Sequence, residues 1–301
     1  MTIDGGMRIP WRIRELLRRA RERRARWQAH AAVAKFPTVS RKSNHDLPGE
    51  LIVSLTSYPP RYPTLAASLR SLLDQDVAAD RTILWLGEGD QHMLPKQVID
   101  LVQHGLEIRT CEDWRSYKKL VPALTAFPEA TIVTADDDVY YAPHWLGQLV
   151  QGGLDHPRDV VGHRVHMALL DRNGLFRSYN DWEFATDFRT DRAPDALIFP
   201  TGVGGVLYPP HALDPLVVRS EAFLRFCPTG DDIWFFWMAK LAGTSHRGLG
   251  NVHEHIEWEG SQDVGLLHQN LAGNNDRQVA AMEDHFGKVG DLDMISANEL
   301  T

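Results

Sequence analysis

Cysteine is nearly missing from these 301 residues; only Cys111 and Cys227 occur. Two thiols so far apart make neither a disulfide framework nor a cysteine-rich zinc motif. A reducing compartment is the simpler setting. Long apolar runs are missing too. No stretch reaches the ~18 apolar residues expected of a membrane span, and arginines interrupt every apolar stretch near the N-terminus, so no signal-peptide core is legible. These absences set the expectation of a cytoplasmic chain. HExxH is absent, and the cluster Gly202-Val203-Gly204-Gly205-Val206 lacks the Lys-Ser/Thr of a P-loop. A zincin and a P-loop enzyme are thereby excluded.

Charge is unevenly spread. Twelve lysines and arginines against Asp4, Glu15 and Glu22 put residues 1–42 at +9, leaving −17 for the rest of a chain whose total is −8. In the arm, Trp11, Leu16, Ala20, Arg24 and Trp27 recur at helical spacing, with Pro10 suited to a first turn. Such a basic helix can lie on the anionic inner face of a membrane. It can equally pack, largely solvated, on the body or on a partner subunit. Nucleic acid is not an expected partner, because the acidic body repels phosphate. Residues 37–49 read as a polar linker. The expected units are an arm with linker over 1–45, a main domain over 46–290 and a tail over 291–301.

The body alternates between two periodicities. Leu51–Leu55, Thr82–Leu86 and Thr131–Ala135 are short, mostly apolar runs that read as strands, and Leu106–Arg109 reads as a further strand. Leu65, Leu69, Leu72 and Leu73 make a helix face. Helices are also expected over Pro95–His104, Tyr117–Phe127 (with Pro122 as a break), Pro143–Val150 and Asp232–Leu241. Strand and helix in alternation give an α/β fold with a mostly parallel central sheet flanked by helices. Ligands of such sheets bind beyond the carboxyl ends of the strands.

Asp136-Asp137-Asp138 stands at such an end, after Thr131–Ala135. Adjacent carboxylates repel, and a cation relieves that repulsion. In an extended segment Asp136 and Asp138 point one way and Asp137 the other. Two hard oxygen donors suit Mg²⁺ or Mn²⁺. An acidic surface turn is the plainer alternative.

Four segments in order resemble one family: Ile52–Ser57 (IVSLTS), Tyr117–Pro122 (YKKLVP), Ile132–Tyr140 (IVTADDDVY) and Gly230–Trp234 (GDDIW). Over about residues 50–275 the chain resembles bacterial GT-A glycosyltransferases, close to the family 2 group. The resemblance implies a Rossmann-like GT-A sheet, a nucleotide-sugar donor (UDP-linked by expectation) and a divalent metal. It also implies a saccharide or lipid-linked acceptor in surface polysaccharide synthesis. It assigns Asp136 and Asp138 to the metal and ribose, with Asp137 counted beside Asp136 in the nucleotide set. It gives the general base to Asp232, with Asp231 standing where the family has Glu. A late histidine often completes such a metal site; His253, His255 and His268 lie in the right part of the chain, and His268 is favoured.

The nucleotide side is expected to include Thr56, Ser57 and Arg61 after the first strand, Glu88 after the second, and one of Lys118 and Lys119, with Lys118 preferred. Arg61 suits bidentate phosphate contact. A base opposite the departing diphosphate would invert the anomeric centre. Trp234, Phe235, Phe236 and Trp237 read as core, whereas Trp182 is a candidate platform for an acceptor sugar. His163 and His166 read as hydrogen-bonded rather than zinc-binding. Two competing readings remain. A sugar nucleotidyltransferase would need a basic, Gly-rich loop after the first strand, where this chain has Ser57-Tyr58-Pro59-Pro60-Arg61. A non-catalytic carbohydrate-binding partner would have no need of two acidic clusters.

Overall fold

A computed structural model describes residues 11–185, 196–250, 255–261 and 273–290. The four expected strands are present and parallel: β1 (Leu51–Thr56), β2 (Arg81–Gly87), β3 (Leu106–Cys111) and β4 (Thr131–Ala135). Three shorter strands complete the central sheet: β6 (Val160–Gly162), β9 (Val206–Tyr208) and β10 (His246–Gly248). The seven lie in the order β10-β6-β9-β4-β1-β2-β3. Only β9 runs antiparallel, against both β4 and β6. The expected α/β class and the mostly parallel sheet are both present. β5 (Val139–Tyr140) pairs with β11 (Ile256–Glu257), and β7 (Val165–Leu169) with β8 (Ala196–Pro200), outside that sheet.

Side-chain alternation sends β1 to two cores. Leu51, Val53 and Leu55 join Leu65, Leu69 and Leu72 on one face. Ile52 joins Trp234, Phe235, Phe236 and Trp237 on the other. Both faces of β1 are covered, which is why it reads as a nearly continuous apolar run. The helices are α1 (Trp11–Ala34), α2 (Tyr62–Leu73), α3 (Lys96–Ile99), α4 (Val121–Ala126), α5 (Trp145–Asp155), α6 (Ser220–Phe226), α7 (Asp231–Leu241) and α8 (Asn275–Phe286).

Two expectations are corrected. The helix read over Tyr117–Phe127 is a 3-10 turn, Arg115–Lys119, followed by α4; Pro122 lacks the N–H that a continuous helix would use and so sits in the first turn of α4. The helix read over Pro95–His104 becomes 3-10 after Ile99. Residues 37–49, expected as a polar linker, are fastened to the body. Backbone N–H groups of Thr38 and Val39 donate to Asp74, at 2.9 Å each to Oδ1, and Ser43 bridges to Val77.

Register sets the site. Leu55 pairs with Ala135, and Thr56 with Trp85. The carboxyl ends of β1, β2 and β4 are therefore level, and the residues beyond them meet.

Candidate active site

The acidic triplet is a turn between β4 and β5, not an extended segment. The strand alternation expected for it therefore does not apply. The turn is pinned by Tyr141, whose hydroxyl oxygen accepts from the Asp136 N–H at 2.7 Å. Its three carboxyls find separate partners. Asp137 accepts from the Ser57 hydroxyl, and its carbonyl accepts from Ser68 at 2.8 Å. Asp138 is buried and pairs with Arg61. Asp136 stands 3.4 Å from the Lys119 ammonium.

Lys119 is the residue that joins the two acidic clusters. Its Nζ lies 3.0 Å from Asp231 at the start of α7, and on its other side it meets Asp136. Burial by itself lowers its pKa, but Asp136, Asp231 and Asp232 together hold it well above the ordinary lysine value. Two anchors fix its backbone. The Ser54 hydroxyl donates to the Lys119 carbonyl at 2.6 Å, and the Trp85 indole N–H donates to that hydroxyl at 3.1 Å. A Cβ on Gly202 would sit 2.3 Å from Lys119 Nζ, so any larger residue there would displace the ammonium from its place. Lys118, the preferred lysine on sequence, points elsewhere and pairs with Asp113.

The two carboxylates of α7 are not equivalent. Asp231 holds Lys119. Asp232 accepts from the Gly202 N–H at 3.0 Å. Burial, then the charge of Asp231, pushes Asp232 up to about 7. Burial pushes Asp137 up to about 7 as well, against the pull of Ser57. For Asp138, burial and then Asp136 raise the pKa, so those two carboxylates are close enough to repel.

Five carboxylates thus face two cations, Lys119 and Arg61. The excess of negative charge and the hard oxygen donors fit a divalent cation at Asp136 and Asp138. His255 stands beside this pair, and among the described residues no three His, Cys, Asp or Glu side chains are grouped closely enough to hold a metal ion. His255 lies near enough to lower Asp138's pKa, its Nε2 is 3.0 Å from Glu257, and its buried Nδ1 has no partner among the described residues. His268 and His253 fall outside the described residues.

Other expected residues are placed as follows. Thr56 donates to the Trp85 carbonyl at 2.8 Å, so its hydroxyl serves the β1–β2 edge. Glu88 is exposed in the turn after β2. Trp182 is 3% exposed and packs against Tyr179 and Phe199, which corrects its reading as an open sugar platform. His166 is buried and its Nδ1 accepts from the Ala185 N–H; His163 contacts the Trp145 carbonyl.

The sequence reading missed α8 and what it does here. Gln278 Oε1 accepts from the N–H groups of Thr229 and Gly230, at 3.0 and 2.9 Å. Asp276 accepts from the Tyr179 N–H at 2.6 Å. One helix therefore ties the loop before α7 to the loop before Trp182. The apolar spacing of Val279, Met282 and Phe286 was the available signal.

No protein-family model matches the chain, and no curated protein does. Solved structures do. Glucosyl-3-phosphoglycerate synthase from Mycobacterium tuberculosis, with Mn²⁺, uridine diphosphate and glucosyl-3-phosphoglycerate, aligns over 82% of this chain and 84% of its own, at 13% identity and TM-score 0.43. TarS 1-349 from S. aureus aligns over 79% and 74%, at 15% and 0.45. Inositol-1-phosphate CTP transferase from T. maritima aligns over 77% and 98%, at 11% and 0.40. The structures this chain resembles thus include both glycosyltransferases and nucleotidyltransferases.

Proposed function

We propose that this protein is a glycosyltransferase that moves a sugar from a uridine-diphosphate-linked donor to a saccharide or lipid-linked acceptor, with inversion, in surface polysaccharide synthesis. One observation carries the reading: Asp136, Asp138 and Asp231 pair with Lys119 and Arg61 beyond the level ends of β1 and β4, with Asp137 and Asp232 beside them.

The chemistry assigns the roles. The acceptor hydroxyl is a weak acid and needs a proton acceptor matched to neutral pH. Asp232, shifted to about 7, is that base. Asp231 orients Lys119 rather than taking the proton. Lys119 and Arg61 balance the negative charge that grows on the departing diphosphate. Ser57 and Asp137 hold the β1 end against the acidic turn, where the nucleotide binds. Asp136 and Asp138, with His255 as the described histidine beside them, would hold Mn²⁺ or Mg²⁺, which when bound stabilises the leaving diphosphate electrostatically.

The test is nucleotide release from a panel of nucleotide sugars with an oligosaccharide acceptor, with Mn²⁺ and with chelator. Metal-dependent release of UDP supports the reading. Release of pyrophosphate from a nucleoside triphosphate and a sugar phosphate, without UDP release, would replace it with nucleotidyl transfer.

A further inference from the structure

Helix α1 keeps large apolar side chains in water. Among the described residues, twelve large apolar side chains are exposed, and five of them lie on this helix. Trp11 and Trp27 are each 70% exposed and Leu16 is 66%. At about 100° per residue, Ile13, Leu16, Leu17 and Trp27 fall within an arc of roughly 100°. A helix that merely packed on the body would turn that stripe inward. Here the body takes a different face, through Ala29 and Val33 near the helix end.

Charge identifies what the stripe meets. Eight arginines against Glu15 and Glu22 leave α1 at +6. Arg12, Arg21, Arg23 and Arg24 are exposed along it. A purely ionic partner such as nucleic acid would engage the arginines but leave Leu16, Leu17 and Trp27 in water. An anionic bilayer satisfies both, because headgroups bind guanidinium while the acyl boundary takes apolar side chains. We propose that α1 lies on an anionic lipid surface, with Ile13, Leu16, Leu17 and Trp27 entering the headgroup layer and the arginines binding lipid phosphate.

The docked end of α1 reaches the acidic turn through a short chain of contacts. The His30 ring lies 5.0 Å from the Trp258 ring. The Trp258 indole N–H donates to the Ser68 hydroxyl at 2.8 Å, and Ser68 donates to the Asp137 carbonyl at 2.8 Å. The Trp258 backbone N–H donates to the Asp138 carbonyl at 3.1 Å. A membrane-bound arm therefore holds the acidic turn at the lipid surface, where a lipid-linked acceptor would lie. That last step rests on the proposed sugar transfer; the lipid binding does not.

The full chain should be sedimented with phosphatidylcholine vesicles, with and without phosphatidylglycerol. Binding is expected to be at least about tenfold tighter to the anionic vesicles and to weaken with salt. The double variant Leu16→Ser/Trp27→Ser should lose most of it while melting like the parent, since both side chains are exposed. Equal partition into both vesicles would overturn the proposal. So would binding that the double variant leaves intact. A chain that ignores vesicles but forms a dimer broken by the same variant would replace the lipid with a second copy. UDP release is measured separately, so failure of one proposal does not register as failure of the other.

Discussion

Lys119 carries one positive charge among three carboxylates, and removing it leaves the buried Asp231 and the partly buried Asp136 uncompensated. Lys119→Met should cost about 3 kcal/mol of stability, the usual scale for breaking a buried ion pair from one side. Lys118→Met should cost under about 1 kcal/mol, because its partner Asp113 is 66% exposed and water solvates what is left. Urea melts of the two variants decide this, and the reverse order would contradict the assignment. Asp232→Asn should lower turnover at least ~100-fold while leaving nucleotide affinity nearly unchanged, the split expected of a general base. Release kinetics and calorimetry on one preparation test it; a matching loss of affinity would make Asp232 a binding residue. His166 titrates outside the site. Burial, then Arg164, lowers it from 6.5 to about 3. It stays neutral in the fold, so its contribution is complete above pH 6.5 and is lost as pH falls from there toward 3. The loss should be about 1.4 kcal/mol per pH unit. His166→Asn, whose amide oxygen can still accept from Ala185, should flatten that slope in melts at pH 7 and 5. An unchanged slope would mean the histidine is already protonated in the fold. The choice between Lys118 and Lys119 was not legible from sequence. It depends on a 3-10 turn that separates adjacent side chains by about 120°, and on Ser54 gripping the second carbonyl.

The element that holds the site together is α8. Gln278→Ala leaves the Thr229 N–H without its acceptor and the Gly230 N–H with only the Cys227 carbonyl at 3.3 Å, which should cost about 1–2 kcal/mol and reduce turnover through a loosened start of α7. A thermal melt and a rate measurement check both. A variant that melts like the parent would show that solvent replaces Gln278. The legibility of elements follows their length and cover. β1, β2 and β4 are apolar runs because both sheet faces are buried around them, whereas β3 at the sheet edge alternates Leu106-Glu107-Ile108-Arg109 and is only partly covered; each could be read. β9 spans only Val206–Tyr208 and takes its place between β4 and β6 through tertiary pairing. Three residues carry no period to read. The acidic turn was legible as chemistry but not as geometry: Asp136 to Asp138 leave the strand because the Tyr141 hydroxyl captures the Asp136 N–H.

At the scale of the molecule, charge is divided between a basic arm and an acidic body, and that division was visible in sequence. Its consequence needed the structure. The arm is one 24-residue helix whose last turns reach Trp258, which in turn braces the acidic turn. The whole account rests on the excess of carboxylate over cation at the ends of β1 and β4. Calorimetric titration of UDP into the protein, with Mn²⁺ and with chelator, tests that excess most directly. The account predicts binding at least about tenfold tighter with Mn²⁺, and loss of that gain in a folded Asp136→Asn/Asp138→Asn variant. UDP affinity that is the same with and without Mn²⁺, or a metal effect that survives in the variant, would contradict it.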